Sequence, residues 1–139
     1  MESDLHKLIS ILLKESEHAE EEQRLNSVLK ELSYRQIYCL HLIEELRNPT
    51  ISELAEKLGI TKASTSVLID RLCDKGFVAR VKSDSDRRSA HLHLTESGMQ
   101  ANTVHENVHQ KFARKLTKQL TPSESDILKV LLNKALGIS

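Results

Sequence analysis

Apolar residues recur along most of the chain at the spacing of helices, and along one short stretch at the spacing of strands. Leu5, Leu8, Ile9 and Leu12 follow the i, i+3, i+4, i+7 pattern of a one-sided helix, which predicts a first helix from about Asp4 into the acidic run near Glu22. The same period predicts helices over 34–47, Ile51–Leu58 and 62–75. After Gly76, Phe77-Val78-Ala79-Arg80-Val81 reads as a strand, and Ala90-His91-Leu92-His93-Leu94 alternates as its partner. Val104, Val108, Phe112 and Leu116, spaced by four, mark a long fifth helix after Thr95. Ile127, Leu128, Leu131, Leu132, Ala135 and Leu136 mark a sixth from Pro122.

The boundaries carry their own chemistry. Ser33 with Gln36, Thr50 with Glu53, and Thr121 with Glu124 have the spacing of capping boxes, in which side chain and backbone satisfy each other at a helix start. Pro122 suits a first helical position, where its missing N–H costs nothing. Asn48-Pro49 and Gly59 end helices, because proline breaks the ladder and glycine tolerates a left-handed cap.

Helix, tight turn, helix and hairpin follow one another without interruption from Ile51 to Gly98. That order predicts a mainly α chain with a small β-hairpin wing (an α+β winged helix-turn-helix), in which one helix enters a DNA major groove and a wing reaches sideways. With 139 residues the chain is expected to be a single domain over 1–139, its DNA-binding lobe spanning 33–95. The segments 1–32 and 96–139 exceed what a winged helix needs. Their apolar stripes require cover, which a second copy of the chain supplies, so they are read as dimerisation helices.

Composition narrows the picture further. The only aromatic residues are Tyr34, Tyr38, Phe77 and Phe112, so the core must be aliphatic. No apolar run approaches the roughly 20 residues of a membrane span, and MESDLHKL has neither the basic start nor the apolar core of a secretory leader, which predicts a cytoplasmic protein. Cys39 and Cys73 share no motif spacing and are expected to be reduced. The formal net charge of zero conceals an asymmetry: residues 1–31 hold eight acids and four bases, whereas 62–93 hold seven bases and four acids. The segment expected to meet phosphate is the positive one, and the neutral total predicts modest non-specific affinity.

The candidate recognition helix begins after Thr61, whose hydroxyl suits an N-cap, with Lys62, Ser64, Thr65 and Ser66 as short or flexible donors suited to phosphates and base edges. Leu68, Ile69 and Leu72 are expected to face the core. Hydroxyl residues also favour helix starts for purely structural reasons, but their place after a helix-turn-helix turn favours contact. At the wing tip, Ser83-Asp84-Ser85-Asp86-Arg87-Arg88-Ser89 is too polar to be buried. A guanidinium is permanently charged and weakly hydrated, so it suits the narrow, negative minor groove of A/T-rich DNA, and the Asp86 carboxylate could hold it extended.

Taken together, ISELAEKLGITKASTSVLIDRLCDKGFV and the following DSDRRSAHLHLTESG resemble the MarR/SlyA family of winged-helix regulators. The specific parts are Asp70-Arg71-Leu72 with Lys75-Gly76, and Asp86 with Arg88 followed by Leu94, Thr95 and Gly98. The resemblance implies a homodimeric transcriptional regulator, a repressor, acting on a pseudo-palindromic double-stranded DNA operator. It also implies Arg88 in the minor groove with Asp86 positioning it, Arg87 on phosphate or bracing the wing, and Arg71 as a structural ion-pair partner. A small aromatic or phenolic ligand would release the DNA. Where some relatives carry an arginine in the recognition helix this chain has Val67, which removes direct guanine readout there.

Other chemistries leave fainter traces. His105 and His109, one helical turn apart, have a spacing that can hold a metal, although two exposed histidines is the plainer reading and no cofactor is expected. A metal- or redox-responsive regulator, with Cys39 as sensor, is the alternative within the fold. A protein-protein adaptor is the alternative outside it, against which Arg87 and Arg88 argue. No nucleophile elbow, phosphate-cradling loop or HExxH pair is present, so no enzyme is expected.

Overall fold

The computed structural model describes residues 2–25, 27–83 and 89–138. The chain runs α1 (Glu2–Leu25), a 3-10 turn (Val28–Glu31), α2 (Tyr34–Glu45), α3 (Ile51–Leu58), α4 (Lys62–Asp74), β1 (Val78–Lys82), β2 (Ala90–Leu94), α5 (Glu96–Thr117) and α6 (Pro122–Leu136). The capping chemistry places the starts. Reciprocal capping boxes form at Ser33/Gln36 and Thr121/Glu124, and Thr50 accepts from the Glu53 amide at 3.2 Å. Gly59, at φ 68, makes the left-handed cap that turns α3 towards α4.

Several boundaries differ from the periodicity by one to three residues, and two of them show why. α2 stops at Glu45 because Arg47 and Asn48 both take left-handed backbone (φ 55 and 60), with Pro49 disfavouring a helical residue before it. The first strand starts at Val78, since Phe77 is spent on the turn: its amide donates to Leu72 O at 2.9 Å and its carbonyl accepts from Thr95 N at 3.1 Å. The short 3-10 turn escapes a periodicity reading altogether. Its two anchors, Leu29 and Leu32, are nonetheless fully buried.

The core lies where α2, α3, α4 and the hairpin meet. Leu40, Leu42, Ile43, Leu54, Ile69, Leu72 and Leu92 are each at most 1% exposed. Each contributes on the order of 1.5–3 kcal/mol of transfer free energy, so this aliphatic cluster is what fixes α4 against the rest. The hairpin is antiparallel, with Val78 opposite Leu94 and Arg80 opposite Leu92. Backbone also fastens it to the body, as Leu92 N donates to Pro49 O at 2.8 Å and His91 Nδ1 lies 2.9 Å from Asn48 O.

The Leu94-Thr95-x-x-Gly98 motif is a structural joint. Thr95 Oγ1 donates to Gly76 O at 2.6 Å and accepts from Gly98 N at 3.1 Å, tying the end of α4, the hairpin and the start of α5 together. A Cβ at Gly98 would collide with the Phe77 carbonyl and lie 3.3 Å from Leu94 Cβ. Gly98→Ala is therefore expected to destabilise the fold by about 1–3 kcal/mol, the cost of overpacking, read from the urea midpoint. An unchanged midpoint would show that α5 can slide away from the hairpin.

α1 and α6 behave differently from the rest. α6 has no buried residue, and Ile127, Val130, Leu131, Leu132 and Leu136 are 42–68% exposed. On α1, Leu5, Leu8, Ile9, Ile11 and Leu13 are 45–63% exposed. No described helix is long and apolar enough to cross a membrane.

Candidate nucleic-acid interface

α4 presents a mixed face because its inner stripe is set by the core. Thr65, Ile69 and Leu72 stand at i, i+4 and i+7 and are all buried. This corrects the expectation for Thr65. Its side chain is 0% exposed and its hydroxyl donates back to Thr61 O at 2.8 Å, so in this conformation it offers nothing to a base edge. The signal was present in the sequence, since Thr65 occupies an apolar-stripe position and a hydroxyl can satisfy itself on the preceding turn.

Lys62, Ala63, Ser64 and Val67 form the exposed surface of the first two turns. Thr61 caps the helix by accepting from Ser64 N at 3.1 Å, and its hydroxyl donates to Ser64 Oγ at 3.0 Å. Val67, 52% exposed, and Ala63 put apolar groups beside the polar Lys62 and Ser64 on this face.

Ser66 is half-buried and already engaged. Arg80 Nη2, from β1, donates to Ser66 Oγ at 3.2 Å and to Asp70 Oδ1 at 2.6 Å. Both side chains of the Arg80–Asp70 pair are more than a third exposed, so the pair is worth no more than about 1 kcal/mol in stability. Its value is positional: it spans from the wing root to the recognition helix. Arg80 escaped the sequence reading because the contact depends on strand register. Among the described residues Arg71, given the ion-pair role by resemblance, forms no ion pair, and Arg80 is the arginine that does so beside α4. At the far end of α4, Lys75 Nζ donates to Glu31 O and, at 3.3 Å, to Gln36 Oε1, which locks the helix to the 3-10 turn and α2. The last described link across the hairpin is Ser83 N to Ser89 O at 3.0 Å. Asp86, Arg87 and Arg88 lie outside the described residues.

Away from this face, the structure draws the two α5 histidines together with a residue of α1. The rings of His105 and His109 meet edge to face with centroids 4.5 Å apart, and Glu20 Oε1 lies 3.5 Å from His109 Nε2. His105 is only 9% exposed, and burial, followed by the neighbouring His109 and His41, lowers its pKa. The spacing of the histidines was legible; their acidic neighbour, contributed by α1, was not. An open cleft of about 380 Å³ adjoins them between α1, α2 and α5, bordered by Glu17, Glu20, Glu21, Arg24, Tyr34 and His105.

Cys39 is fully buried, and desolvation pushes its thiol up to about 11. A thiol so buried and so far from ionising is a poor nucleophile. Native protein at pH 7.5 is expected to leave Cys39 unmodified by iodoacetamide while unfolded protein reacts fully. Modification of native Cys39 at the unfolded rate would restore the redox-sensor alternative.

Comparison with known proteins agrees with this geometry. Residues 32–90 match the model of the MarR family. Among curated relatives, an uncharacterized HTH-type transcriptional regulator of Bacillus subtilis, YfiV, is 36% identical over 68% of this chain and 59% of its own length. The transcriptional repressor MprA of Escherichia coli is 32% identical over 81% of this chain and 66% of its own length. For the first three curated relatives the matched part is 59%, 62% and 46% of their length. Among solved structures, a mutant MarR from Escherichia coli complexed with operator DNA superposes with a TM-score of 0.65 at 28% identity, covering 96% of this chain and 94% of that one. These relatives are transcription regulators, not enzymes. The chain belongs to the MarR family of winged-helix transcriptional regulators.

Proposed function

We propose that this chain acts as a homodimeric repressor that binds a pseudo-palindromic double-stranded operator and is released by a small effector. The observation that carries the reading is the α4 face: Lys62, Ala63, Ser64 and Val67 stand exposed on a helix whose other side is locked into the core. That suits a helix entering a major groove, with Lys62 on phosphate, Ser64 on a base edge or phosphate, and the Val67 methyls against a thymine methyl. The operator-bound mutant MarR structure, which shares the fold, supports duplex DNA as the partner. The name of MprA supports repression.

The lobe over 33–95 would do the reading and the flanking helices the pairing. α1 and α6 leave apolar faces bare in the single chain, and a second copy covers both by one two-fold operation. The cleft between α1, α2 and α5 is where a small effector would fit, next to the dimerisation helices and the root of the lobe. The adaptor alternative has less support, since an exposed lysine-and-hydroxyl first turn suits phosphate better than an apolar partner.

Titrating fluorescent duplexes of unrelated sequence at increasing salt tests the proposal. Binding is expected with an affinity that falls steeply and linearly on a log–log salt plot, as counterions return to the phosphates. Absence of binding to any duplex at low salt would sink it.

A further inference from the structure

One ligand atom each from Glu20, His105 and His109 lie within 4.8 Å of one another, the only such group of three among the described residues. We propose that these three side chains form a site for a divalent transition-metal ion of the zinc type, which pins α1 to α5.

The geometry fits coordination better than hydrogen bonding. The 3.5 Å between His109 Nε2 and Glu20 Oε1 is long for a hydrogen bond. Ligand atoms held at roughly 2.0–2.1 Å around a tetrahedral ion stand roughly 3.3 Å from one another, so small side-chain movements close the site. His105 is nearly buried, and its ring meets that of His109 edge to face with centroids 4.5 Å apart, so the two imidazoles already converge.

The donor set selects the ion. Two imidazoles and one carboxylate, with no thiolate, suit Zn²⁺, Co²⁺ or Ni²⁺. They are too nitrogen-rich for Ca²⁺ or Mg²⁺ and lack the sulfur that favours Cu⁺. Charge agrees. Glu17, Glu20 and Glu21 border the adjoining cleft, and Arg24, the one cation among the described residues lining it, is paired with Glu21 at 3.4 Å and donates to Leu32 O at 3.1 Å. A divalent cation is drawn into such a field, whereas a phenolate is repelled. Three protein ligands leave a coordination position open for water, which permits exchange.

The position gives the site leverage. α5 runs directly out of the hairpin through the Thr95 joint, and α1 is one of the two helices with a bare apolar face. An ion bridging them stiffens the link between pairing helices and wing. This consequence, unlike the site itself, rests on the function proposed above. The expected result is a change in duplex affinity on metal binding.

Two titrations separate the site from its consequence. In the first, Co²⁺ is added to the full-length protein without DNA, and visible ligand-field absorption and Zn²⁺ competition are followed. One ion per chain is expected. His109→Ala and Glu20→Gln, neither at a fully buried position, should keep the fold by circular dichroism while weakening Zn²⁺ at least about tenfold, and His18→Ala, on α1 but outside the group of three, should not. No absorption, or affinity indifferent to both ligand variants, overturns the site. In the second, Zn²⁺ is added to protein–duplex mixtures. A shift in affinity seen in the wild type and lost in His109→Ala supports the coupling, and bound Zn²⁺ without a shift overturns it. Failure to bind any duplex would count against the proposed function, while Co²⁺ and Zn²⁺ binding without DNA would still decide whether the metal site exists.

Discussion

Replacing Leu131 and Leu132 together by Glu is expected to turn the protein into a monomer and to remove tight binding to a duplex carrying two half-sites. Both residues stand on α6, 57% and 42% exposed, on a helix with no fully buried residue in the single chain. In the proposed dimer they are covered, and a carboxylate placed there has no partner and cannot be desolvated cheaply. Because α6 contributes no core residue, the winged lobe should keep its helicity. Sedimentation at micromolar concentration should give the mass of one chain for the variant and of two for the wild type. Tethering two lobes multiplies affinity by about 10²–10⁴, so the variant should lose on the order of a hundredfold or more for a two-half-site duplex. Its affinity for a single half-site should change little. A variant that remains a dimer with wild-type affinity would show that α6 is not the pairing helix.

The second large effect concerns the wing. Arg88→Ala is expected to weaken operator binding by about 1–3 kcal/mol, roughly five- to 150-fold, with the greatest loss where the flanks are A/T-rich. Lys62→Ala should behave differently: every sequence should weaken similarly, and the salt slope should fall by about one unit, because a phosphate contact carries no base information. Asp86→Ala should reproduce a milder Arg88→Ala, since it removes a positioning group only. Side-by-side titrations at two salt concentrations distinguish these patterns. Equal affinity of Arg88→Ala and wild type for every duplex would retire the wing as a DNA-reading element.

What was legible in the chain was what repeats or punctuates. The helices after the first declared themselves because each pairs an apolar stripe with a start signal, and Ser33, Thr50, Thr61, Thr95 and Thr121 all serve as N-caps. The family motifs were legible too, but much of their meaning is mechanical. Gly98, Thr95, Lys75 and Asp70 hold joints together. Three things needed the third dimension. Glu20 meets His109 across 89 positions of sequence only because α1 lies along α5. Arg80 reaches Asp70 and Ser66 only in one strand register. Thr65 was counted with the polar first turn by composition, whereas the core claims it by period.

The inward turn of Thr65 and the capture of Ser66 by Arg80 leave a very short alphabet on the recognition helix. A lysine, an alanine, a serine and a valine can tell few bases apart, and each mismatch costs only about 1–3 kcal/mol. Against about 10⁶–10⁹ competing sites in a genome, so few letters cannot spell a unique address. In the proposed dimer the missing information comes from the wing and from a metric. If the chain pairs as proposed, the distance and angle between two copies act as a ruler that accepts short words only at the right separation. Such a regulator is retargeted or silenced by altering the ruler, with its letters unchanged.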